Sequence, residues 1–259
     1  MSLREVFEKL KTRKFMFVAP GGNQGDYMIY AGAYKLADEL GLKYHSILYT
    51  RKVQPPKILD EVIYLHGGGG FCRWWNWTPR LLQKLRMANP ENHIIIGPTT
   101  VDSDRDYLDS IPNIDDRMTF FARERTTYEI MQKYCDDVYL DHDTSLHLSS
   151  NDPYFKKIVG TTEVRETFSL LAIRNDGESS NRLPNNIKRE DFDKTVDPCR
   201  CKDWIRLHMH ASRIVTDRSH SAIMGAILGK DTSLFAGSYH KNKSIYDYSL
   251  KDLGVKWIE

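Results

Sequence analysis

The sequence predicts an α/β protein made of two Rossmann-like units, each a parallel sheet covered by helices, that face a cleft. Short apolar runs alternate with segments of helical spacing, which is the pattern of doubly wound sheets. Polar clusters follow the runs, at the strand ends where such sheets bind ligands. The predicted strands are 15–19, 43–49, 61–66, 93–97, 118–122, 137–140, 168–173, 213–216, 233–236 and 255–258. The predicted helices are 27–40, 79–87, 126–134, a segment within 191–211, 221–229 and 245–253.

A polar stretch near the middle of the chain predicts the boundary between the two units. The chain has 259 residues, more than one hydrophobic core usually serves. Residues 149–164 lack periodicity and contain Asn151-Asp152-Pro153, a turn signal. We therefore predict an N-terminal Rossmann-like domain over 1–150, a linker over 151–164 and a C-terminal Rossmann-like domain over 165–259.

Composition excludes several classes of partner. The 37 Lys and Arg nearly balance the 35 Asp and Glu, which leaves a formal charge of +2. No strong overall field therefore draws the protein to nucleic acid, and any anion must be recognised locally. The first residues are charge-mixed, unlike a signal peptide, and no apolar run approaches the ~18 residues of a membrane span. We expect a cytoplasmic protein without a transmembrane segment.

The cysteines raise the question of a metal site. Four cysteines in so long a chain do not indicate a disulfide framework. Cys199, Cys201, His208 and His210 are four soft ligands close together. Zinc sites favour other spacings, and histidines two apart on a helix point to different faces. We expect no metal, with reduced thiols beside a helix as the ordinary interpretation.

A glycine-rich turn is the first candidate ligand site. Asn23, Gly25 and Asp26 lie between the first predicted strand and its helix, where unpaired N–H groups can meet an anion. The alternative is a tight turn in which Asp26 is only a helix-start charge. Four consecutive glycines, 67–70, follow the third strand and indicate a tight turn or a ligand close to the main chain.

Arginines follow three other strands. Arg123 comes after the fifth, Arg174 after the seventh, and Arg218 after the eighth, where it precedes Ser219 and His220. Guanidinium groups bind carboxylate and phosphate oxygens in pairs, and histidine exchanges protons near neutral pH. The alternatives are ordinary ion pairs for the arginines and a helix-capping role for His220.

An aromatic segment follows the glycines directly. Arg73, Trp74, Trp75 and Trp77 form the kind of surface that stacks on sugar rings while polar groups bind hydroxyls. They predict a platform for a sugar acceptor. A core or interface patch is the alternative, because three tryptophans bury a large area.

The combination resembles the polysaccharide pyruvyl transferases over about residues 15–237. The residues that carry the resemblance are Gly22-Asn23-Gln24-Gly25-Asp26, the glycine run, Ala122-Arg123-Glu124 and Thr216-Asp217-Arg218-Ser219-His220. The family usually has Leu where this chain has Ser219. The resemblance implies a two-lobed fold like that of the GT-B glycosyltransferases.

The resemblance also implies a reaction: transfer of the pyruvyl group of phosphoenolpyruvate to a sugar as a ketal, in polysaccharide biosynthesis. It makes His220 the acid/base and assigns Arg218 and Arg123 to the donor. Asp26 would position or deprotonate the acceptor hydroxyl. The remaining donor-site residues implied are Asn23, Gly25, Ser219 and Arg174. Phosphoenolpyruvate is a co-substrate, so no cofactor is expected.

Two other functions are compatible with the same residues. A GT-B-like glycosyltransferase would use the arginines to hold the diphosphate of a nucleotide sugar. A non-catalytic protein would bind a sugar or an anion without turnover. For the transferase, the acceptor is a glycan or its lipid-linked precursor, and a lipid-linked acceptor would bring the protein into peripheral contact with a membrane.

Overall fold

The computed structural model describes residues 1–49, 54–108, 114–153, 155, 165–195 and 201–259. The chain divides into unit 1, Met1–His147, and unit 2, Leu148–Glu259. Most of the predicted linker, 151–164, lies outside the described residues. The predicted domain boundaries and the cleft therefore stay predictions, whereas the two Rossmann-like α/β units are confirmed.

Unit 1 contains a seven-stranded sheet in the order β2-β1-β3-β5-β6-β7, with β4 paired to β5. Its strands are β1 (Lys14–Ala19), β2 (Lys43–Leu48), β3 (Glu61–Leu65), β4 (Gly68–Phe71), β5 (Ile94–Val101), β6 (Met118–Ala122) and β7 (Val138–Leu140). Its helices are α1 (Leu3–Leu10), α2 (Gln24–Glu39), α3 (Trp77–Ala88), α4 (Arg105–Leu108) and α5 (Arg125–Met131), and a 3₁₀ turn covers Thr144–His147.

The strands of unit 1 are apolar on both faces because helices cover both faces. On one face Phe17 and Tyr64 pack with side chains of α1 and α2. On the other face Ile63 and Phe120 pack with side chains of α3 and α5. The parallel strands that the apolar runs predict follow from this double burial.

Unit 2 contains a five-stranded sheet in the order β12-β11-β10-β8-β9. Its strands are β8 (Phe168–Ala172), β9 (Lys194–Thr195), β10 (Ala211–Thr216), β11 (Asp231–Phe235) and β12 (Lys256–Ile258). Its helices are α6 (Cys201–His210), α7 (Ser219–Ile227) and α8 (Lys241–Ile245), with 3₁₀ turns at Arg189–Asp191 and Lys251–Leu253 and a π-helical turn at Tyr246–Leu250. All strand pairings described in the two sheets are parallel.

Two predicted elements were wrong in detail. Residues 68–71, which include most of the glycine run, form strand β4, where the sequence indicated a tight turn or a ligand close to the main chain. The helix predicted over 245–253 begins earlier, at Lys241, and is α-helical only to Ile245. Gly254 ends this segment with a φ of 80°, a left-handed conformation that glycine adopts without strain.

Candidate active site

Each sheet has one switch point, where successive connections leave in opposite directions. In unit 1 it lies between β1 and β3, because β2 lies on the other side of β1. In unit 2 it lies between β8 and β10, because β9 lies on the other side of β8. A crevice opens beyond the carboxyl ends of strands at such points, and ligands of α/β proteins bind there. The predicted glycine turn and the Arg174 and Arg218 turns all border these two places.

Asp26 lies at the switch point of unit 1 in a capping box. The Asn23 side chain accepts a hydrogen bond from the Gly25 amide at 2.8 Å, and the Asn23 amide donates to Asp26 Oδ2 at 2.8 Å. A Cβ atom on Gly22 would lie 2.1 Å from Asp26 Oδ2, and one on Gly68 would lie 3.1 Å from Oδ1. Glycines on both sides therefore leave the space that the carboxylate occupies.

The glycine run has a packing role in addition to any role in binding. A Cβ on Gly67 would lie 2.0 Å from the Pro98 carbonyl oxygen, and one on Gly70 would lie 2.0 Å from Thr78 Oγ1. The Thr99 hydroxyl donates to the Gly68 carbonyl at 2.7 Å. The glycines thus let β4 approach β5 and α3 closely.

His66, which immediately precedes the glycines, is a buried residue that the sequence did not single out. Its ring lies 4.5 Å from that of Tyr30 and 5.0 Å from that of Tyr64, measured between centroids. Within the described part of the chain, neither ring nitrogen has a hydrogen-bond partner. Burial lowers the pKa of His66 to about 3, so the ring is neutral near physiological pH.

The three tryptophans of the predicted acceptor platform have different surroundings. Trp75 is 44% exposed. Trp77 stacks on Tyr49 at 5.6 Å, and its Nε1 donates to the Pro20 carbonyl at 2.9 Å. Trp74 is partly buried, with the Arg73 guanidinium 5.1 Å from its ring centroid. Trp75 is therefore the ring of the three that is open enough to stack on a sugar.

Arg73 is held by two carboxylates. Its Nε and Nη2 donate to the two oxygens of the buried Asp102 at 2.7 and 2.9 Å, and its Nη1 lies 2.9 Å from Asp104. Burial would raise the pKa of Asp102, but the bonds from Arg73 and the Asp104 amide hold that pKa below its usual value. This fork fastens the segment after β4 to the end of β5.

Arg123 is the most buried of the predicted site arginines. It is 1% exposed, and it donates to Thr100 Oγ1 and to Asp143 Oδ2 at 2.8 Å each. Asp143 also accepts a hydrogen bond from the Ser145 amide at 3.0 Å. The guanidinium thus links β5, β6 and the segment after β7, and its role in donor binding stays a prediction.

Arg174, after β8, is part of a charge network. Its Nε and Nη2 donate to the two oxygens of Asp176 at 2.8 Å each, and its Nη1 lies 3.0 Å from Glu178. Glu178 is 3% exposed and also pairs with Lys241. Burial alone would raise the pKa of Glu178, but the charges of Lys241 and Arg174 hold that pKa below its usual value.

Arg218 has a different environment at the N-cap of α7. Its Nε donates to the Ile173 carbonyl at 3.1 Å, and its side chain makes no ion pair with a carboxylate among the described residues. Burial and then the charge of Arg174 lower the pKa of Arg218, yet guanidinium pKa values start so high that it stays charged. Of the four predicted site arginines, Arg218 alone makes no ion pair with a carboxylate in this part of the structure.

Asn242 holds the turn that carries Arg218. Its Nδ2 donates to the carbonyls of Asp217 at 2.6 Å and Phe235 at 2.9 Å, and its Oδ1 accepts from the Ser219 hydroxyl at 2.7 Å. Asn242 is 1% exposed and Ser219 is 4% exposed. Ser219 thus faces the interior of unit 2, and His220 is partly buried in the first turn of α7. The sequence offers no signal that Asn242 holds this turn, because Ser219 and Asp217 are 23 and 25 residues away.

The two histidines among the candidate metal ligands have different partners. His208 is buried with Nδ1 2.8 Å from the Trp204 carbonyl, whereas His210 Nδ1 lies 3.0 Å from the Arg165 carbonyl. Burial lowers the pKa of His208 to about 4. Cys199 lies outside the described residues. In the part of the chain that is described, no cluster of three His, Cys, Asp or Glu could hold a metal ion.

These features define a class: a two-unit α/β protein with a cationic turn at one switch point and a carboxylate beside glycines at the other. The chain belongs to the polysaccharide pyruvyl transferase family, whose sequence profile matches residues 23–239. It is therefore a transferase enzyme, and the resemblance drawn from its motifs is confirmed.

Comparisons with individual proteins add support for the fold. An uncharacterized protein of Klebsiella pneumoniae has a similar crystal structure, with a TM-score of 0.71 and 22% sequence identity over 99% of this chain and 96% of that one. A periplasmic sugar-binding protein from Legionella pneumophila has a TM-score of 0.30 at 12% identity, with 95% and 87% of the two chains covered, and this likeness carries no inference. No curated protein matches the chain.

Within the ranges that the structure describes, no helix combines the length of a membrane span with a sufficiently apolar composition.

Proposed function

We propose that the enzyme transfers the pyruvyl group of phosphoenolpyruvate to two hydroxyls of a sugar in a glycan or its precursor. Membership of the family supports pyruvyl transfer in polysaccharide biosynthesis. The choice of donor rests on Arg218. Its charged guanidinium has no carboxylate partner among the described residues, and it lies at a switch point next to His220. Such a group binds the carboxylate of a small anion through parallel hydrogen bonds.

The reaction requires one proton donor and one leaving group. His220 protonates the methylene carbon of phosphoenolpyruvate, and a first sugar hydroxyl attacks the adjacent carbon. The C–O bond to phosphate then breaks, and a second hydroxyl attacks the same carbon to close the ketal. The two sugar hydroxyls lose one proton each. One of these protons makes up for the proton that formed the methyl group, and the other leaves on the released phosphate. A single positioned acid/base thus serves both additions.

Asp26 and Trp75 are assigned to the acceptor. The Asp26 carboxylate is already oriented by the Asn23 amide, which reduces the cost of positioning it against a sugar hydroxyl. Trp75 offers an exposed ring for stacking on a sugar. Trp74 and Trp77 support this segment by packing, and Arg73 supports it through Asp102.

Ligand-induced stabilisation tests the donor. A ligand that binds the native state raises its stability by RT ln(1 + [L]/Kd), about 2.7 kcal/mol at a hundred times Kd. We expect phosphoenolpyruvate to raise the melting temperature of the wild type and of Arg206→Gln, a control that alters an exposed arginine of α6. Arg218→Gln removes the guanidinium, so the shift should fall by more than half.

Two results would contradict this proposal. One is a rise in melting temperature with UDP- or GDP-sugars but none with phosphoenolpyruvate, which would indicate a nucleotide-sugar glycosyltransferase. The other is an undiminished shift with phosphoenolpyruvate in Arg218→Gln, which would move the donor away from this turn.

A further inference from the structure

A pocket of about 240 Å³ opens at the switch point of unit 2. Its walls include Ile173 after β8, Asp217 after β10 and Phe235 at the end of β11. The Arg218 guanidinium donates to the carbonyl of Ile173, so the pocket adjoins the turn assigned to the donor. The pocket also includes two arginines from the loop after β8, Arg182 and Arg189, which no motif singled out.

Arg182 and Arg189 differ from the other arginine in the pocket. Arg174 is neutralised by Asp176 and Glu178. Among the described residues, neither Arg182 nor Arg189 has a carboxylate within ion-pair distance, and both are exposed. The pocket thus contains two unpaired positive charges.

The surrounding groups suit an anion with several oxygens. The amides of Asn175 and Asn181 line the same pocket and add neutral donors. The one acid in the described lining, Asp217, is 2% exposed and accepts the Arg174 amide at 2.7 Å, and the two exposed arginines outnumber this single carboxylate. Turns hold the two arginines: Arg182 hydrogen-bonds with Ser180, and Arg189 begins a 3₁₀ turn.

We propose that Arg182 and Arg189 bind the phosphate group of the donor in this pocket, while Arg218 binds its carboxylate. A phosphate carries nearly two negative charges and three terminal oxygens, which two guanidinium groups match better than one. A carboxylate carries one charge and two oxygens, which one guanidinium fork matches. This inference rests on the proposed function and names the residues that hold the leaving group.

This assignment of the phosphate and the carboxylate to different arginines can be tested with a separate probe for each group. Calorimetric titrations with inorganic phosphate and with pyruvate are compared in the wild type, Arg182→Gln/Arg189→Gln, Arg218→Gln and the Arg206→Gln control. We expect the double variant to bind phosphate at least tenfold more weakly and pyruvate within twofold of the wild type. Arg218→Gln should show the reverse. Arg182, Arg189 and Arg206 are exposed, so their replacement by Gln should leave the melting temperature nearly unchanged.

Other results would contradict either the assignment of the phosphate or the proposed donor. Phosphate affinity that is absent in the wild type, or unchanged in the double variant, would overturn the assignment. So would a phosphate affinity that falls only in Arg218→Gln, because both anionic groups would then share one arginine. If the wild type binds phosphate through Arg182 and Arg189 but does not bind phosphoenolpyruvate, the phosphate pocket stands and the proposed donor falls.

Discussion

Glycines surround the carboxylate at the switch point of unit 1, whereas charged side chains fill the switch point of unit 2. Around Asp26, glycines 22 and 68 leave space for one carboxylate. Around Arg218, four charged residues lie within the turns that follow β8 and β10: Arg174, Asp176, Glu178 and Asp217. The same sheet topology thus fixes where a ligand binds, and the local residues determine which ligand.

This difference would suit the two substrates that we propose, which differ in chemistry. The proposed donor has two anionic groups, a carboxylate and a phosphate, and needs fixed cations, which unit 2 provides. A neutral sugar needs close approach and a hydrogen-bond acceptor, which the glycines and Asp26 of unit 1 provide. Substitutions that change one switch point should therefore affect one substrate more than the other.

The largest effect is expected at unit 2 from His220→Gln. Loss of a positioned acid/base should reduce kcat about 10²- to 10⁴-fold in a pyruvyl transfer assay. His210→Gln, which alters a histidine on α6, is the matched control and should retain full activity. A folded His220→Gln enzyme with near-normal kcat would remove His220 from the mechanism.

The second effect is expected at unit 1 from Gly22→Ala. The new Cβ would meet Asp26 Oδ2 at 2.1 Å and displace the carboxylate, in addition to the strain of alanine at a φ of 141°. Gly21→Ala is the control, because its φ of 82° is also positive but its Cβ would have no neighbour within 4 Å. Each should lose roughly 1–3 kcal/mol of stability.

The two glycine variants should differ in turnover. We expect Gly22→Ala to lose at least roughly tenfold more activity than Gly21→Ala, since misplacing a catalytic group by about 1 Å costs up to ~10²-fold. In an Asp26→Ala background the difference should disappear. Equal activity of the two glycine variants with Asp26 intact would show that the position of the carboxylate does not matter.

The smallest effect is expected from Trp75→Ala. A stacked ring contributes roughly 0.5–1.5 kcal/mol, so the KM for the sugar acceptor should rise about two- to tenfold while the melting temperature is retained. Trp77→Ala should instead cost roughly 2–4 kcal/mol in urea unfolding, because it loses the Tyr49 contact and the bond to Pro20. Unfolding of Trp75→Ala with unchanged acceptor KM in the folded fraction would exclude the platform.

Local sequence patterns predicted the fold and the strand ends at which two candidate site residues lie. Double burial of parallel strands produces continuous apolar runs, so β1, β3 and β6 could be located from the chain alone. The turns that follow strands carry the polar residues, so Asp26 and Arg218 could be located too. The strand within the glycine run could not be predicted, because the glycines fit groups that are distant along the chain, such as the Pro98 carbonyl against which Gly67 packs.

The partners of Arg73 and Arg123, unlike those of Arg174, could not be predicted from neighbouring residues in the sequence. Arg123 pairs with Asp143 and Arg73 with Asp102, which are 20 and 29 residues away along the chain. Whether an arginine is paired or open therefore depends on how the strands are ordered. The structure shows that Arg218 lacks the carboxylate partner that the three other predicted arginines have. It also shows that Arg182 and Arg189 lack one among the described residues.

The location of Asn242 affects how fragments of this protein should be designed. The family profile ends at residue 239, three positions before the side chain that joins Asp217, Ser219 and Phe235. It begins at residue 23, after β1. A fragment cut at these limits would retain every residue predicted at the site. It would lose Asn242 and a central strand of unit 1, and its inactivity would be mistaken for a lack of catalytic competence.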